Sequence, residues 1–260
     1  MKIILQSVFL CSLFLSLIFL TSSCYNNPAD TENDESSYSH LQNPGISAND
    51  FMSSENFSKV VIEIDYMPGY APNERALDSL QAFLEQRLNK TSITILEPSE
   101  ISAAGQNTYT ANEIRNLEQQ HRNQFTEDET LAAYMIIVDG RFEQNNVLGI
   151  AYYNTSNAFF GVAYEDATSG FGAPSRYRTE AISFRHEFGH LLGLVGIPNS
   201  GTDMQRDHKD AEHGSHCNDN SCLMYWAMER PDLIEQFLVG EEIPGLDANC
   251  INDLQANGGK

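Results

Sequence analysis

The segment TEAISFRHEFGHLLG, residues 179–193, carries the strongest structural signal in the chain. Thr179 is a suitable helix N-cap, and Gly193 can end a helix because glycine readily adopts a left-handed conformation. The sequence therefore predicts a helix over residues 179–192. Because residues four apart share one face of a helix, His186 and His190 are expected to point in the same direction.

The two histidines bracket Glu187 in an H-E-x-x-H pattern. Imidazole nitrogens at this spacing can bind one zinc ion, and a glutamate beside the ion can take a proton from water. The simpler interpretation is an amphipathic helix with two partly exposed histidines. Five of the seven histidines fall between residues 186 and 216, and Gly193 extends the pattern, so we favour a metal site.

The extended pattern, H-E-x-x-H-x-x-G, resembles that of the metzincin zinc peptidases, which continue to a third histidine and a methionine turn. Gly196 stands at the position of that third histidine and cannot bind a metal. The later segment HCNDNSCLM (216–224) resembles the archaemetzincin segment in which the third zinc histidine precedes cysteines and the turn methionine. The resemblance implies that His216 is the third ligand and Met224 the turn methionine, after a long insertion.

Other side chains of the insertion compete with His216 for the third ligand position. They are His208, His213, Asp203 and Asp207. Three protein ligands would leave one coordination position open, as in catalytic zinc sites. The resemblance favours His216, and the sequence leaves the two other histidines as alternatives.

The cysteines bear on whether a second ion is expected. Archaemetzincins hold a second zinc with the help of a later C-x-x-C, whereas this chain has only Cys250 after Cys222. We therefore expect one catalytic Zn²⁺. In an exported, oxidising setting we expect a disulfide between Cys217 and Cys222. The alternatives are reduced thiols and a disulfide in which Cys250 is the partner.

The first residues predict export and a membrane anchor. Lys2 precedes an apolar run over residues 3–20, and small residues lead to Cys24, as in a signal peptide over residues 1–23. The segment resembles a bacterial lipobox. That resemblance implies that Cys24 carries a lipid and that the chain is an exported lipoprotein of the bacterial cell envelope. A plain signal peptide and an uncleaved anchor helix are the alternatives.

Residues 24–56 are rich in Asn, Ser, Asp and Glu and show no period of 2 or 3.6. This composition predicts a disordered tether that holds the folded part away from the membrane. The predicted zinc metallopeptidase domain then covers residues 57–260.

Strand-like and helix-like segments alternate within that domain, which predicts a mixed α/β (α+β) fold. Helices are expected over 72–89 and 110–125, and strands over 59–67, 92–98, 131–140, 147–154 and 158–165. The resemblance implies a metzincin-like mixed twisted sheet, an active-site helix and a smaller C-terminal part after the methionine turn. It also implies that residues 147–154 form an edge strand that pairs with substrate backbone.

The net charge of -21 argues against a nucleic-acid partner, because an acidic surface repels phosphates. The sequence thus predicts a membrane-anchored, zinc-dependent peptidase that acts on proteins or peptides and uses Glu187 as its base. The alternatives are a non-catalytic zinc-binding surface lipoprotein and a zinc hydrolase of a non-peptide substrate.

Overall fold

The computed structural model describes residues 38–144, 146–237 and 242–260. The predicted signal peptide, Cys24 and residues 25–37 of the predicted tether lie outside these residues. Among the described residues, no helix combines the length and the apolar character that crossing a membrane requires.

A mostly parallel sheet forms the centre of the domain. Its strands are β1 (Lys59–Tyr66), β2 (Ser92–Ile95), β3 (Ser99–Glu100), β5 (Thr130–Val138), β7 (Gly149–Tyr153) and β8 (Ser156–Phe160). The order is β2-β1-β5-β8-β7, with β3 also paired to β1. All pairs are parallel except β7 with β8. The short strands β4 (Thr108–Tyr109) and β6 (Arg141–Phe142) pair separately.

Helices cover this sheet, as the predicted mixed α/β fold requires. They are α1 (Ala48–Met52), α2 (Glu74–Arg87), α3 (Ala111–His121), α4 (Gly161–Thr168), α5 (Arg176–Leu191), α6 (Ile234–Phe237) and α7 (Ala248–Ala256). Central strand β5 is buried over eight of its nine residues, which explains its nearly continuous apolar sequence. Asn73 caps α2, and Thr110 with Glu113 forms a capping box on α3.

The prediction of one strand over residues 158–165 is wrong in its second half. Strand β8 ends at Phe160 and α4 starts at Gly161. A Cβ at Gly161 would overlap the ring of Tyr70, so glycine at this position lets Tyr70 pack against the start of α4. Periodicity alone does not separate a buried strand from the start of a buried helix in a short apolar run.

The prediction that the disordered tether extends to residue 56 is also wrong, because residues 38–56 are part of the folded domain. Phe51 and Met52 on α1 are fully buried. The Lys90 ammonium donates hydrogen bonds to the backbone carbonyls of Asp50, Ser53 and Phe57. The polar composition of the segment does not indicate these contacts, because they are made with residues distant in sequence.

Candidate metal centre

Helix α5 places His186, Glu187 and His190 at the centre of the site. The helix starts at Arg176 with Ser175 as its N-cap, so it begins earlier than predicted and Thr179 lies buried within it. The rings of His186 and His190 are 4.9 Å apart between centroids. Both imidazoles therefore lie on the same face, as their spacing of four residues requires.

His216 joins this pair from the loop that follows α5. Its ring centroid lies 5.2 Å from that of His186 and 5.1 Å from that of His190. The three imidazoles and the carboxylate of Glu229 form a group in which one ligand atom of each lies within 4.8 Å of the others. The structure thus brings together the three histidines that the resemblance named.

Backbone carbonyls orient two of these rings. Nδ1 of His186 lies 2.8 Å from the carbonyl oxygen of Leu223, and Nδ1 of His216 lies 2.6 Å from that of His213. Each Nδ1 therefore donates its proton to a carbonyl, which leaves the Nε2 lone pair free. Both Nε2 atoms are buried and have no hydrogen-bond partner. Buried nitrogens that lack a partner fit a bound metal ion, because an unsatisfied polar atom is otherwise costly.

The site favours neutral imidazoles on α5. Burial, and then the charge of His216, lowers the pKa of His186 to about 4. Burial and the two neighbouring histidines lower the pKa of His190 well below its usual value. Burial also acts to lower the pKa of His216, but the nearby carboxylate of Glu229 outweighs it and raises that pKa. Neutral imidazole is the form that binds metals.

Glu187 is 1% exposed and its Oε1 has no hydrogen-bond partner. Burial, and then the charge of Glu229, raises the pKa of Glu187 well above its usual value, although a backbone hydrogen bond at Ala151 acts the other way. The carboxylate packs against β7, where a Cβ at Gly149 would lie 2.9 Å from Cγ of Glu187. Its carboxyl oxygens are not part of the ligand group, so it lies beside the site as a proton acceptor would.

Met224 lies directly against helix α5. A Cβ at Gly189 would overlap Sδ of Met224, so only glycine at this position lets the methionine approach the helix. The backbone carbonyl of Met224 accepts a hydrogen bond from the N–H of Cys217, 2.8 Å away. This bond connects the methionine turn to the residue after His216.

The other candidate ligands lie elsewhere. The ring of His213 stacks on Trp226 with centroids 4.0 Å apart. His208 is buried, with Nε2 2.8 Å from Oδ2 of Asp253. Gly196 adopts a φ of 63°, a left-handed turn that glycine makes without strain. Neither alternative histidine belongs to the ligand group on α5.

The predicted disulfide between Cys217 and Cys222 is not formed, and Cys217, Cys222 and Cys250 are free buried thiols. Sγ of Cys222 lies 3.7 Å from Sγ of Cys250, well beyond the disulfide bond length of about 2.05 Å. Cys250 on α7 lies beside Cys222, and His208 of the insertion lies beside Cys217.

Four side chains in this region form a second group that could hold a metal ion. One ligand atom from each of His208, Cys217, Asp247 and Cys250 lies within 4.8 Å of the others. Thiols combined with an imidazole are typical ligands of structural zinc. A later C-x-x-C does not mark this group in the sequence, because His208 and Asp247 are not part of any cysteine motif.

Glu229 is the residue of the centre that the sequence did not reveal. It ends a short 3-10 helix, Trp226–Glu229, five residues after Met224. Its Oε2 lies 3.5 Å from Nε2 of His216 and 3.8 Å from Nε2 of His186. Burial acts to raise the pKa of Glu229, but the nearby imidazole of His216 outweighs it and lowers that pKa. No motif in the sequence marks this glutamate.

A cleft of about 420 Å³ opens onto the centre. Its lining includes Glu187, His190 and Glu229 on one side and residues 149–151 of β7 on the other. Strand β7 ends the central sheet, so one side of its backbone is not paired within that sheet. Asn43 and Pro44, from the segment predicted to be a tether, also line the cleft.

Comparison with known proteins finds a likeness to solved structures. No family model matches the chain. No curated protein matches it either. Among solved structures, the chain is similar to archaemetzincin from Methanopyrus kandleri, with a TM-score of 0.49 and 15% sequence identity over 78% of this chain and 96% of that chain.

Proposed function

We propose that the chain is a zinc-dependent peptidase whose metal is held by His186, His190 and His216 and whose proton acceptor is Glu187. The observation that carries the proposal is the convergence of these imidazoles, two of them with buried and unpartnered Nε2 atoms. The buried carboxylate of Glu187 lies beside them and is not one of the three proposed ligands. Three nitrogen ligands next to a glutamate are typical of metal-assisted hydrolysis.

Each residue has a distinct task in this reaction. A zinc ion bound there supplies Lewis acidity, which lowers the pKa of water and polarises a carbonyl. The carbonyls of Leu223 and His213 hold His186 and His216 with their Nε2 atoms facing the site. Glu187 accepts the proton of the attacking water on its carboxylate and then delivers it to the leaving amine. Its raised pKa suits the second step, because a carboxyl group that holds a proton can donate it.

A peptide is the substrate that fits the cleft. Strand β7 lies at the edge of the central sheet, and an extended peptide can pair with an edge strand. Residues 149–151 of this strand line the same cleft as Glu187. A peptide paired with β7 would therefore pass the histidines, which favours a peptidase over a hydrolase of small non-peptide molecules.

Glu187→Gln tests the proposal against a non-catalytic zinc protein. The substitution removes the proton acceptor and leaves the three histidines, so we expect unchanged zinc content and a loss of turnover of about 10²–10⁴-fold. The measurement is cleavage of a peptide library with and without a chelator, together with metal analysis. Glu100→Gln, at an exposed position on β3, is the matched control. Full activity in Glu187→Gln would exclude Glu187 as the base.

We further propose that the chain is an exported lipoprotein anchored through Cys24. The lipobox-like segment before this cysteine supports the proposal. Cys24→Ala removes the attachment point, so we expect the protein to leave the membrane fraction for the soluble fraction. Fractionation of cells followed by immunoblotting measures the distribution. A variant that remains in the membrane would favour an uncleaved anchor helix.

A further inference from the structure

We propose that Glu229 is a fourth protein ligand of the metal, so that the resting site is closed by three imidazoles and one carboxylate. This inference rests on the proposed function, since it presupposes that His186, His190 and His216 bind an ion. It adds a residue that no sequence motif marks. It also changes how the site must work, because a closed site has no position for water until one ligand leaves.

The first argument is the separation of the ligand atoms. Zinc–nitrogen distances of about 2.0–2.1 Å in a tetrahedron place neighbouring ligand atoms about 3.4 Å apart. Oε2 of Glu229 lies 3.5 Å from Nε2 of His216 and 3.8 Å from Nε2 of His186. The two separations are close to that spacing, and one ligand atom of His190 lies within 4.8 Å of the others.

The second argument is the way in which the backbone holds Glu229. The 3-10 helix that ends at Glu229 follows the methionine turn directly. The carbonyl oxygen of Glu229 accepts a hydrogen bond from the N–H of Leu148, 2.7 Å away, one residue before β7. Its side chain is only 20% exposed. Contacts on both sides thus hold the residue beside the histidines, unlike a glutamate that extends freely into water.

The third argument is charge. Three neutral imidazoles bring no negative charge to a buried divalent cation, and an uncompensated buried charge is costly. Glu229 lies close enough to two of the imidazoles to supply one negative charge directly. Glu187, the other carboxylate of the cleft, is not a member of the ligand group. Glu229 is therefore the carboxylate placed to compensate the ion.

The connection between Leu148 and Glu229 indicates how the closed site would open. Substrate paired along β7 would occupy the cleft that Glu229 lines. Leu148 immediately precedes this strand and binds the backbone of Glu229, so the glutamate lies next to the strand that receives the peptide. Substrate would then compete with the carboxylate for the fourth coordination position.

Cobalt(II) substitution of the full chain tests the coordination directly. Co²⁺ replaces zinc in the purified protein, and azide serves as a small anion that needs an open coordination position. We expect the visible spectrum of the wild type to be insensitive to azide, because Glu229 fills the fourth position. We expect the spectrum of Glu229→Gln to shift on azide addition. The control is Asp232→Asn, which removes the same charge from an exposed carboxylate three residues away. Its cobalt spectrum should be insensitive to azide, like that of the wild type.

Zinc affinity, measured by competition with a chelator, gives the second readout. We expect Glu229→Gln to bind zinc more than about 100-fold more weakly than the wild type, beyond the effect of residues that only orient a ligand. Asp232→Asn should stay within about 3-fold of the wild type, because an exposed charge is screened by solvent.

Three outcomes contradict the inference, and they differ from one another. A wild type that binds no zinc or cobalt overturns the proposed function together with the inference. A wild-type cobalt spectrum that responds to azide shows an open position and overturns the inference alone, whatever the variants do. Equal zinc affinities of Glu229→Gln and Asp232→Asn show that Glu229 only pairs with the charge of His216, which also overturns it.

Discussion

Removal of water governs the chemistry of the central side chains. His186 is 0% exposed and Glu187 is 1% exposed, and burial is the largest cause of the pKa shift of each. The shifts run in opposite directions because burial disfavours the charged form of both groups. The result is a neutral imidazole that can bind a metal beside a carboxyl group with a high affinity for protons.

His216→Ala should remove one ligand of the proposed metal. We expect zinc affinity to fall by more than about 100-fold, since the loss of a direct ligand exceeds the 10–100-fold cost of losing an orienting partner. Zinc titration by competition with a chelator measures the effect.

The matched control is His213→Ala. The ring of His213 stacks on Trp226 and is not part of the ligand group. The zinc affinity of this variant should therefore stay within about 10-fold of the wild type. A larger loss of zinc affinity in His213→Ala than in His216→Ala would mean that the two histidines exchange roles when the metal binds.

At the level of secondary-structure elements, the contact between α5 and the methionine turn determines the shape of the site. Met224 is fully buried beneath Gly189, and the carbonyl of Leu223 orients His186 from the same turn. The segment that supports the helix therefore also directs a ligand. A change in the packing of this contact should be transmitted to the metal site.

Gly189→Ala tests that contact. In a solvent-exposed helix, alanine would raise the free energy of unfolding by about 1 kcal/mol relative to glycine. Here the added Cβ would overlap Sδ of Met224, so we expect a net destabilisation of about 1–3 kcal/mol and weaker zinc binding. Chemical unfolding and zinc titration measure the two effects.

Gly245→Ala is the control for this substitution, because no atom lies within 4 Å of a Cβ at that position. Its stability should change by less than about 0.5 kcal/mol. Equal stability of the two variants would mean that the methionine moves away at little cost.

For the whole molecule, the metal would link segments that are distant in sequence. His190 and His216 are separated by 25 residues, and Glu229 follows at the end of the 3-10 helix after the methionine turn. An ion bound by all of these residues holds the insertion against α5 in the folded state. Because the unfolded chain does not keep these ligands together, metal binding should appear as thermal stability.

Removal of the metal should therefore lower the melting temperature. With zinc at about 100 times its dissociation constant, binding contributes about 2.7 kcal/mol. For a domain of this size, that energy corresponds to roughly 5–10 °C in Tm. Calorimetry with a chelator, followed by the addition of excess zinc, should show a reversible shift. A melting temperature that is the same with and without zinc would contradict the metal site.

The order of the main strands β1, β2, β5, β7 and β8 and of helices α2, α3 and α5 could be predicted from the sequence. So could the position of His186, Glu187 and His190 on one helical face. Both depend on local patterns: apolar runs, caps and a spacing of four residues. The wrong predictions fall in segments whose local sequence carries no such pattern. The turn from β8 into α4 at Gly161 and the folded segment 38–56 depend on contacts with distant residues.

The sequence by itself determined which helix carries the candidate ligands and which glutamate stands between them, because helical geometry fixes the relation of residues four apart. Only the tertiary structure decided which residues of the later loop join that helix. It placed His216 and Glu229 beside His186 and moved His208 to the cysteines. The physical reason is that a long loop costs little more to close than a short one, so packing rather than spacing determines where it returns.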